Sequence, residues 1–306
     1  MSNSPKVSVI IPTYNRPEII LRAIKSILNQ TYQNFEIVVV DDSPDDKTEK
    51  VVGELNKEIK YVKLVEDKEV VSSASKKRNV GVRNSSADSK YIAFLDDDDE
   101  WLPQFLEITI NELETKKNLA GVIPYPQRKL VDGTKIQTSY SPIFRFWKQG
   151  IGNCWVLRKK IFTKGDLWYD EKGIFEDIDF GIKVSQKYEV GIIPQILWIY
   201  YVLPKSKKDS SCTKFEILAN SVEYLFKKHF NDYKEAGSKP LAFLYYFTGK
   251  IFLQAGRIKE GRSHFKKALK SDFNLEYLIY YLLSLFCPKI FQNYRLQFLK
   301  HKLLRR

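Results

Sequence analysis

The stretch Val7-Ser8-Val9-Ile10-Ile11-Pro12-Thr13-Tyr14-Asn15-Arg16-Pro17 sets the fold. Its first five residues form a near-continuous β-branched run, the pattern of a strand covered on both faces in a parallel sheet. After the turn at 12–17, apolar Ile20, Leu21, Ile24, Ile27 and Leu28 recur at helical spacing, and 35–40 is a second buried strand ending at Asp41 and Asp42. That is one βαβ unit, with a right-handed crossover. Further outward, the pattern predicts a helix over 47–55, a strand over 60–65, a helix over about 73–84 and a strand over 91–95. This alternation predicts an α/β protein with a mostly parallel sheet flanked by helices.

In open sheets of this kind ligands bind beyond the carboxyl ends of the strands. Those ends carry Pro12, Tyr14 and Arg16, then Asp41 and Asp42, then Asp96, Asp97, Asp98 and Asp99. Neither GxGxxG nor GxxxxGK[ST] occurs, so a dinucleotide fingerprint and a P-loop are disfavoured.

Residues 101–202 are less regular. They contain a helix after Trp101-Leu102-Pro103, a Pro-rich stretch around Pro124 and Pro126, and a basic helix start at 157–162. A loop at 173–180 precedes a helical pattern, followed by a strand at 190–193. The chain divides into a catalytic domain at 1–203 and a helical, basic extension at 214–306, with a Lys- and Ser-rich linker at 204–213. Gly249, Gly261, Phe265 and Ala268 match the spacing of one tetratricopeptide-like hairpin turning at Gly256-Arg257. The uncharged run 277–287 is too short to span a bilayer and is read as core packing, with interfacial insertion as the alternative. Residues 289–306 hold six Lys or Arg, no acid and an apolar stripe, the features of an interfacial helix.

The 306 residues are 43% hydrophobic with 14 Gly and 12 Pro, which excludes collagen-like and low-complexity classes. Cys154, Cys212 and Cys287 form no CxxC pair, so neither a disulfide framework nor a structural zinc is expected, and a reducing cytoplasm fits. The first apolar run is too short for a signal peptide. The net charge is +13, yet residues 1–202 carry 29 basic and 29 acidic side chains, and the whole excess lies in 203–306. A basic helical segment suits an anionic membrane surface; a merely solvated helical face is the plain alternative. No nucleic-acid module is recognisable, and no nucleic-acid partner is expected.

Four clusters bear chemistry, and each has an ordinary structural reading beside the functional one. Asp96 to Asp99 is either a solvated acidic loop or, because it ends a buried strand, a site for a hard cation completed by substrate phosphates. Asp42 is either a helix cap or an acceptor for a base or ribose, with Tyr14 offering an aromatic face nearby. Lys76-Lys77-Arg78 is either a solvated face or a source of a guanidinium for a pyrophosphate. Glu176, Asp177 and Asp179 are either helix-capping acids or the source of a general base.

Together VSVIIPTYNRP, FEIVVVDDS, SASKKRNVGV, YIAFLDDDDEWLP and GIFEDIDF, in that order over residues 5–202, resemble a family-two glycosyltransferase of the GT-A fold. Each motif is common alone, whereas five in fixed order are specific. The resemblance implies an inverting transferase using a nucleotide-diphosphate sugar, usually a UDP-sugar, with Mn²⁺ or Mg²⁺. It implies nucleotide-sugar contacts by Pro12, Tyr14, Arg16, Asp42, Arg78, Asp96 and Asp97, and metal ligation by Asp98 and Asp96 as the DXD positions. Asp177 takes the position of the catalytic base, with Glu176 beside it. Trp198-Ile199-Tyr200-Tyr201 lacks the His that many relatives carry, which leaves Asp98 as the most direct metal ligand, and QxxRW is absent, so one sugar per encounter is expected. The implied acceptor is a glycan or a polyprenyl-phosphate-linked glycan in cell-surface synthesis, at the cytoplasmic face of the membrane. A non-catalytic nucleotide-sugar-binding scaffold is the alternative; a nucleotidyltransferase would need a Gly-rich signature that PTYNRP does not provide.

Overall fold

The computed structural model describes residues 4–55, 59–64, 74–130, 132–136, 154–172, 175–202 and 212–286, with side chains of the last segment described from 216. The expected linker at 204–213 lies almost wholly outside them, as do Ser72, Ser73, Gly173, Ile174 and the basic stretch 289–306. The chain divides into two compact units, Met1–Lys172 with Glu176–Pro204, and Gly173–Phe175 with Lys205–Arg306.

The first unit runs β1 (Val7–Thr13), α1 (Pro17–Leu28), β2 (Phe35–Asp41), α2 (Lys47–Gly53), β3 (Ile59–Lys63), α3 (Ala74–Asn84) and β4 (Tyr91–Phe94). It continues through β5 (Glu100–Trp101), α4 (Phe105–Thr115), β6 (Leu119–Leu130), β7 (Lys135–Ile136), β8 (Val156–Arg158), α5 (Lys160–Thr163), α6 (Glu176–Lys187) and β9 (Glu189–Val202). The sheet order is β3-β2-β1-β4-β8-β6-β9-β5, with β7 on β6. All of β1 is buried, and its alternate residues feed two cores. Val9 and Ile11 pack with Ile20, Ala23, Ile24 and Ile27 of α1, while Ile10 packs with Val38, Val40, Ile92 and Phe94. The close seat of α3 needs Gly81, because a Cβ there would lie 2.3 Å from Ile10 Cγ2.

The structure bears out the mostly parallel sheet and redraws three stretches of 101–202. β3, β2, β1 and β4 run parallel and β6 pairs parallel with β9, while β8 lies antiparallel to both β4 and β6, and β5 antiparallel to β9. The basic helix expected from Leu157 begins instead as the buried strand β8, because Arg158 turns its guanidinium inward to the carbonyls of Leu119 and Leu113. Pro124 and Pro126 lie within β6, and the register shifts beside them absorb the missing N–H donors. The strand expected at 190–193 extends to Val202 because β9 follows β6 through those shifts.

The second unit contains α7 (Cys212–Glu235), α8 (Ser238–Gln254), α9 (Ile258–Ser271) and α10 (Leu275–Phe286). At the α8–α9 crossing the carbonyl of Gly261 would lie 3.0 Å from a Cβ on Gly249, so glycine lets the backbones meet, and Phe265 and Ala268 are fully buried. Helix α10 buries Tyr277 and Tyr280, while Leu282 and Phe286 stay exposed. No helix among the described residues is long and apolar enough to cross a membrane.

Candidate active site

The carboxyl ends of β1 and β4, helix α3 and the first turn of α6 enclose a cavity of about 310 Å³. Pro12, Tyr14, Arg16, Lys77, Arg78, Asp96, Asp97, Asp98 and Glu176 line it. Strand ends place the acids here because β4 ends at Phe94, with a last backbone bond from the Leu95 N–H to the Ile10 carbonyl, and β2 ends at Asp41, so that the following residues leave the sheet.

Three cations hold these acids. Arg16 Nη1 donates to Asp97 at 2.8 Å and to Asp98 at 2.9 Å. Lys77 Nζ lies 2.6 Å from Asp42, both side chains being nearly inaccessible, and 5.7 Å from the ring centre of Tyr14. Arg78, 2% exposed, donates to Asp96 at 2.5 Å and to Glu176 at 3.2 Å, so one guanidinium joins the end of β4 to the start of α6. Asn79 fixes the approach to α6 by donating to the carbonyl of Tyr169 at 3.0 Å and to Glu171 at 2.8 Å.

The acids differ in their protonation. Asp41 is fully buried, which alone would raise its pKa, but Ser43, Tyr61 and Lys63 donate to it and hold it below the usual carboxylate range. It therefore fixes the turn, and Asp42 meets Lys77. Burial raises Asp97 to about 6 against the pull of Arg16 and Thr13, and Asp98 is raised by burial and by Asp96. Burial, with Asp96 and Asp98, lifts Asp99 to about 9, and its carboxylate accepts the Tyr201 N–H at 3.1 Å. Asp177 is raised to about 7 by burial first and then by Glu176.

The structure brings Pro12, Tyr14, Arg16, Arg78, Asp96, Asp97, Asp98 and Glu176 to one cavity. Asp42 and Asp177 are not among the lining residues; Asp42 pairs with Lys77, a lining residue, and Asp177 follows Glu176 in α6. Glu176, Asp177 and Asp179 form the first turn of α6 rather than a loop before it, where carboxylates suit the positive end of the helix dipole. Arg78, expected on the diphosphate, turns both terminal nitrogens to carboxylates. Lys77 was missed as a contact. Its only signal was its place in the basic run beside Arg78, and helical periodicity alone did not say which cation faces inward. Arg22 was missed as well; it donates to the carbonyl of Asp98 at 2.5 Å and stacks 3.8 Å from the ring centre of Tyr201.

Among the described residues no group of three or more His, Cys, Asp or Glu is arranged to hold a metal ion. The two carboxylates Asp96 and Asp98 both border the cavity, and Asp96 makes Asp98 harder to ionise, which fits a hard cation that takes its other ligands from water and phosphate.

A profile of glycosyl transferase family 2 matches residues 8–177, which include the strands and the acids that form this cavity. The chain belongs to that family. An uncharacterized glycosyltransferase of Rickettsia conorii is 32% identical over 205 residues, 64% of this chain and 32% of that protein. A GalNAc(5)-diNAcBac-PP-undecaprenol β-1,3-glucosyltransferase of Campylobacter jejuni is 40% identical over 98 residues, 32% of this chain and 31% of that protein. The chain thus spans about a third of the length of these curated relatives. S. aureus TarS in complex with UDP-GlcNAc superposes with a TM-score of 0.57 at 17% identity, over 95% of this chain and 82% of that one. The mannosyltransferase PcManGT of Pyrobaculum calidifontis, in complex with GDP-Man and Mn²⁺, gives 0.58 at 18% identity, over 94% and 82%. The fold is GT-A with a helical C-terminal region.

Proposed function

We propose that this chain moves one sugar, with inversion, from a UDP-sugar held in the 310 Å³ cavity to a hydroxyl of a glycan or lipid-linked acceptor. The observation that carries the reading is Arg78, whose two terminal nitrogens tie Asp96 of the donor side to Glu176 beside the base. The UDP-GlcNAc and GDP-Man complexes of the structural neighbours support the donor class.

Tyr14, 48% exposed at the cavity mouth, offers its face to the base. Lys77, held by Asp42, and Arg16 supply positive charge toward the diphosphate. A divalent cation, Mn²⁺ or Mg²⁺, would be held by Asp98 and Asp96 and would supply neutralising charge to the leaving group. Asp177, whose pKa near 7 suits a base at neutral pH, takes the proton of the acceptor hydroxyl. The acceptor oxygen forms the new bond to the anomeric carbon as the bond to the diphosphate breaks, and the nucleotide leaves with that electron pair. One base suffices, since the opposite-face attack needs no second carboxylate.

The acceptor proposal is a polyprenyl-phosphate-linked glycan at the cytoplasmic membrane face. It is supported by the basic excess in 203–306 and by the undecaprenol-linked substrate in the name of the Campylobacter relative. Incubation with a panel of UDP-sugars and Mn²⁺ should release UDP, and Asp177→Asn should abolish release; equal rates in the two proteins would reject Asp177 as the base. Vesicle flotation tests the membrane element separately: binding that requires anionic lipid supports it, and no binding removes it.

A further inference from the structure

Asp98 is gripped twice. Arg22 holds its backbone carbonyl and is itself stacked on Tyr201, while Arg16 holds a side-chain oxygen. Asp97 is gripped in the same manner, by Thr13 at 2.7 Å and by Arg16. The backbone under Arg16 is equally fixed: Asn15 has φ +50 and donates its N–H to Ser43 at 2.6 Å, and Pro17 opens α1. What has freedom is the Arg16 side chain, 41% exposed, against 6% and 22% for its two carboxylates.

The Asp98 oxygen that faces Arg16 across 2.9 Å is one that a hard dication at this site would also need. A guanidinium and a dication cannot share it without strong repulsion at that range. Resting on the nucleotide-sugar reading of this cavity, we infer that Arg16 is a counter-cation which the metal must displace, so that metal and nucleotide enter together. Metal alone breaks the pairs of Arg16 with Asp97 and Asp98. Metal with a diphosphate replaces them, because the displaced planar fork remains at the cavity and can take two phosphate oxygens in parallel. Metal and nucleotide therefore favour one another's binding, and Arg16 is the positioning residue that couples them.

The test is Mn²⁺ binding measured by electron paramagnetic resonance on wild type, Arg16→Gln and Arg16→Lys, without nucleotide and with saturating UDP, with thermal melts as the fold control. Without nucleotide, Arg16→Gln should bind Mn²⁺ on the order of tenfold more tightly than wild type, the size expected for losing a partly buried competing charge. The tightening that UDP brings should shrink by a similar factor, with Arg16→Lys between the two. Should Arg16→Gln melt below the assay temperature, Arg16→Lys carries the test in the same direction. Mn²⁺ binding by the variants that is equal to or weaker than wild type, with UDP and Mn²⁺ still bound, overturns the displacement while leaving the donor site standing. Wild type that binds neither Mn²⁺ nor UDP overturns both.

Discussion

A hydrogen-bond network at the amino ends of the parallel strands and the cavity beyond their carboxyl ends treat carboxylates in opposite ways, with Asp41 at the tip of β2, held down by Ser43, Tyr61 and Lys63, as the exception on the cavity side. At the amino ends, Glu36 of β2 accepts from Ser8 of β1, from the Ser86 N–H at 2.6 Å and hydroxyl, and from Ser89 ahead of β4. Burial would raise Glu36, but those donors and Lys6 hold it below the usual range. At the carboxyl ends, Asp97, Asp98 and Asp99 are all raised despite Arg16 and the Tyr201 N–H, with Asp177 raised nearby. One end is a closed hydrogen-bond network that stabilises the strands. The other keeps Asp97, Asp98 and Asp99 harder to ionise beside a cavity, the kind of perturbation that collects where a site binds a cation or tunes a base.

That contrast can be broken most severely at Asp177. Asp177→Asn should lower the transfer rate on the order of 10²- to 10⁴-fold, the range for losing a general base, measured as kcat with donor and acceptor saturating. The pH profile of the wild type should rise with a midpoint near 7, because only the ionised carboxylate accepts the proton. The sign for stability is the reverse: a folded pKa above the unfolded value contributes stability at acid pH that is lost as pH rises through about 7. Asp177→Asn should therefore raise the melting temperature at pH 8 more than at pH 5.

Next in size is Arg78→Met, which leaves Asp96 and Glu176 without their shared cation and should cost about 3 kcal/mol in denaturant unfolding. Gly81→Ala forces α3 off β1 at Ile10 and should cost about 1–3 kcal/mol, with activity falling as Arg78 shifts. The smallest effect belongs to the closed end. Glu36→Gln should cost about 1–2 kcal/mol and leave kcat of the folded protein unchanged.

Much of the closed, parallel half could be read from residues alone. Runs such as Val7–Ile11 are β-branched because both faces are covered, and a run buried on both faces has few alternatives. The acids at the strand ends were legible for the same reason, since an abrupt change from Phe94-Leu95 to Asp96 marks where the sheet stops. Sheet order across the middle was not legible. Nothing local to Val156-Leu157-Arg158 says that it slots between β4 and β6, because strand neighbours far apart in sequence leave no periodic mark. Pro124 and Pro126 pointed away from a strand that long-range pairing nevertheless imposes. Within the site, residue type pointed to the acidic clusters at 96–99 and 176–179 and the family resemblance singled out Asp98 and Asp177, whereas pairings such as Lys77 with Asp42 and Arg22 with the Asp98 carbonyl depend on where helices face.

The most direct measurement is a calorimetric titration of UDP, with Mn²⁺ present, into wild type, Asp98→Asn and Glu36→Gln. The charged end should hold the nucleotide and the closed end should be indifferent to it: wild type and Glu36→Gln bind alike, and Asp98→Asn loses binding. Equal binding by all three proteins, or none by the wild type, would contradict the placement of the donor at the carboxyl ends of these strands.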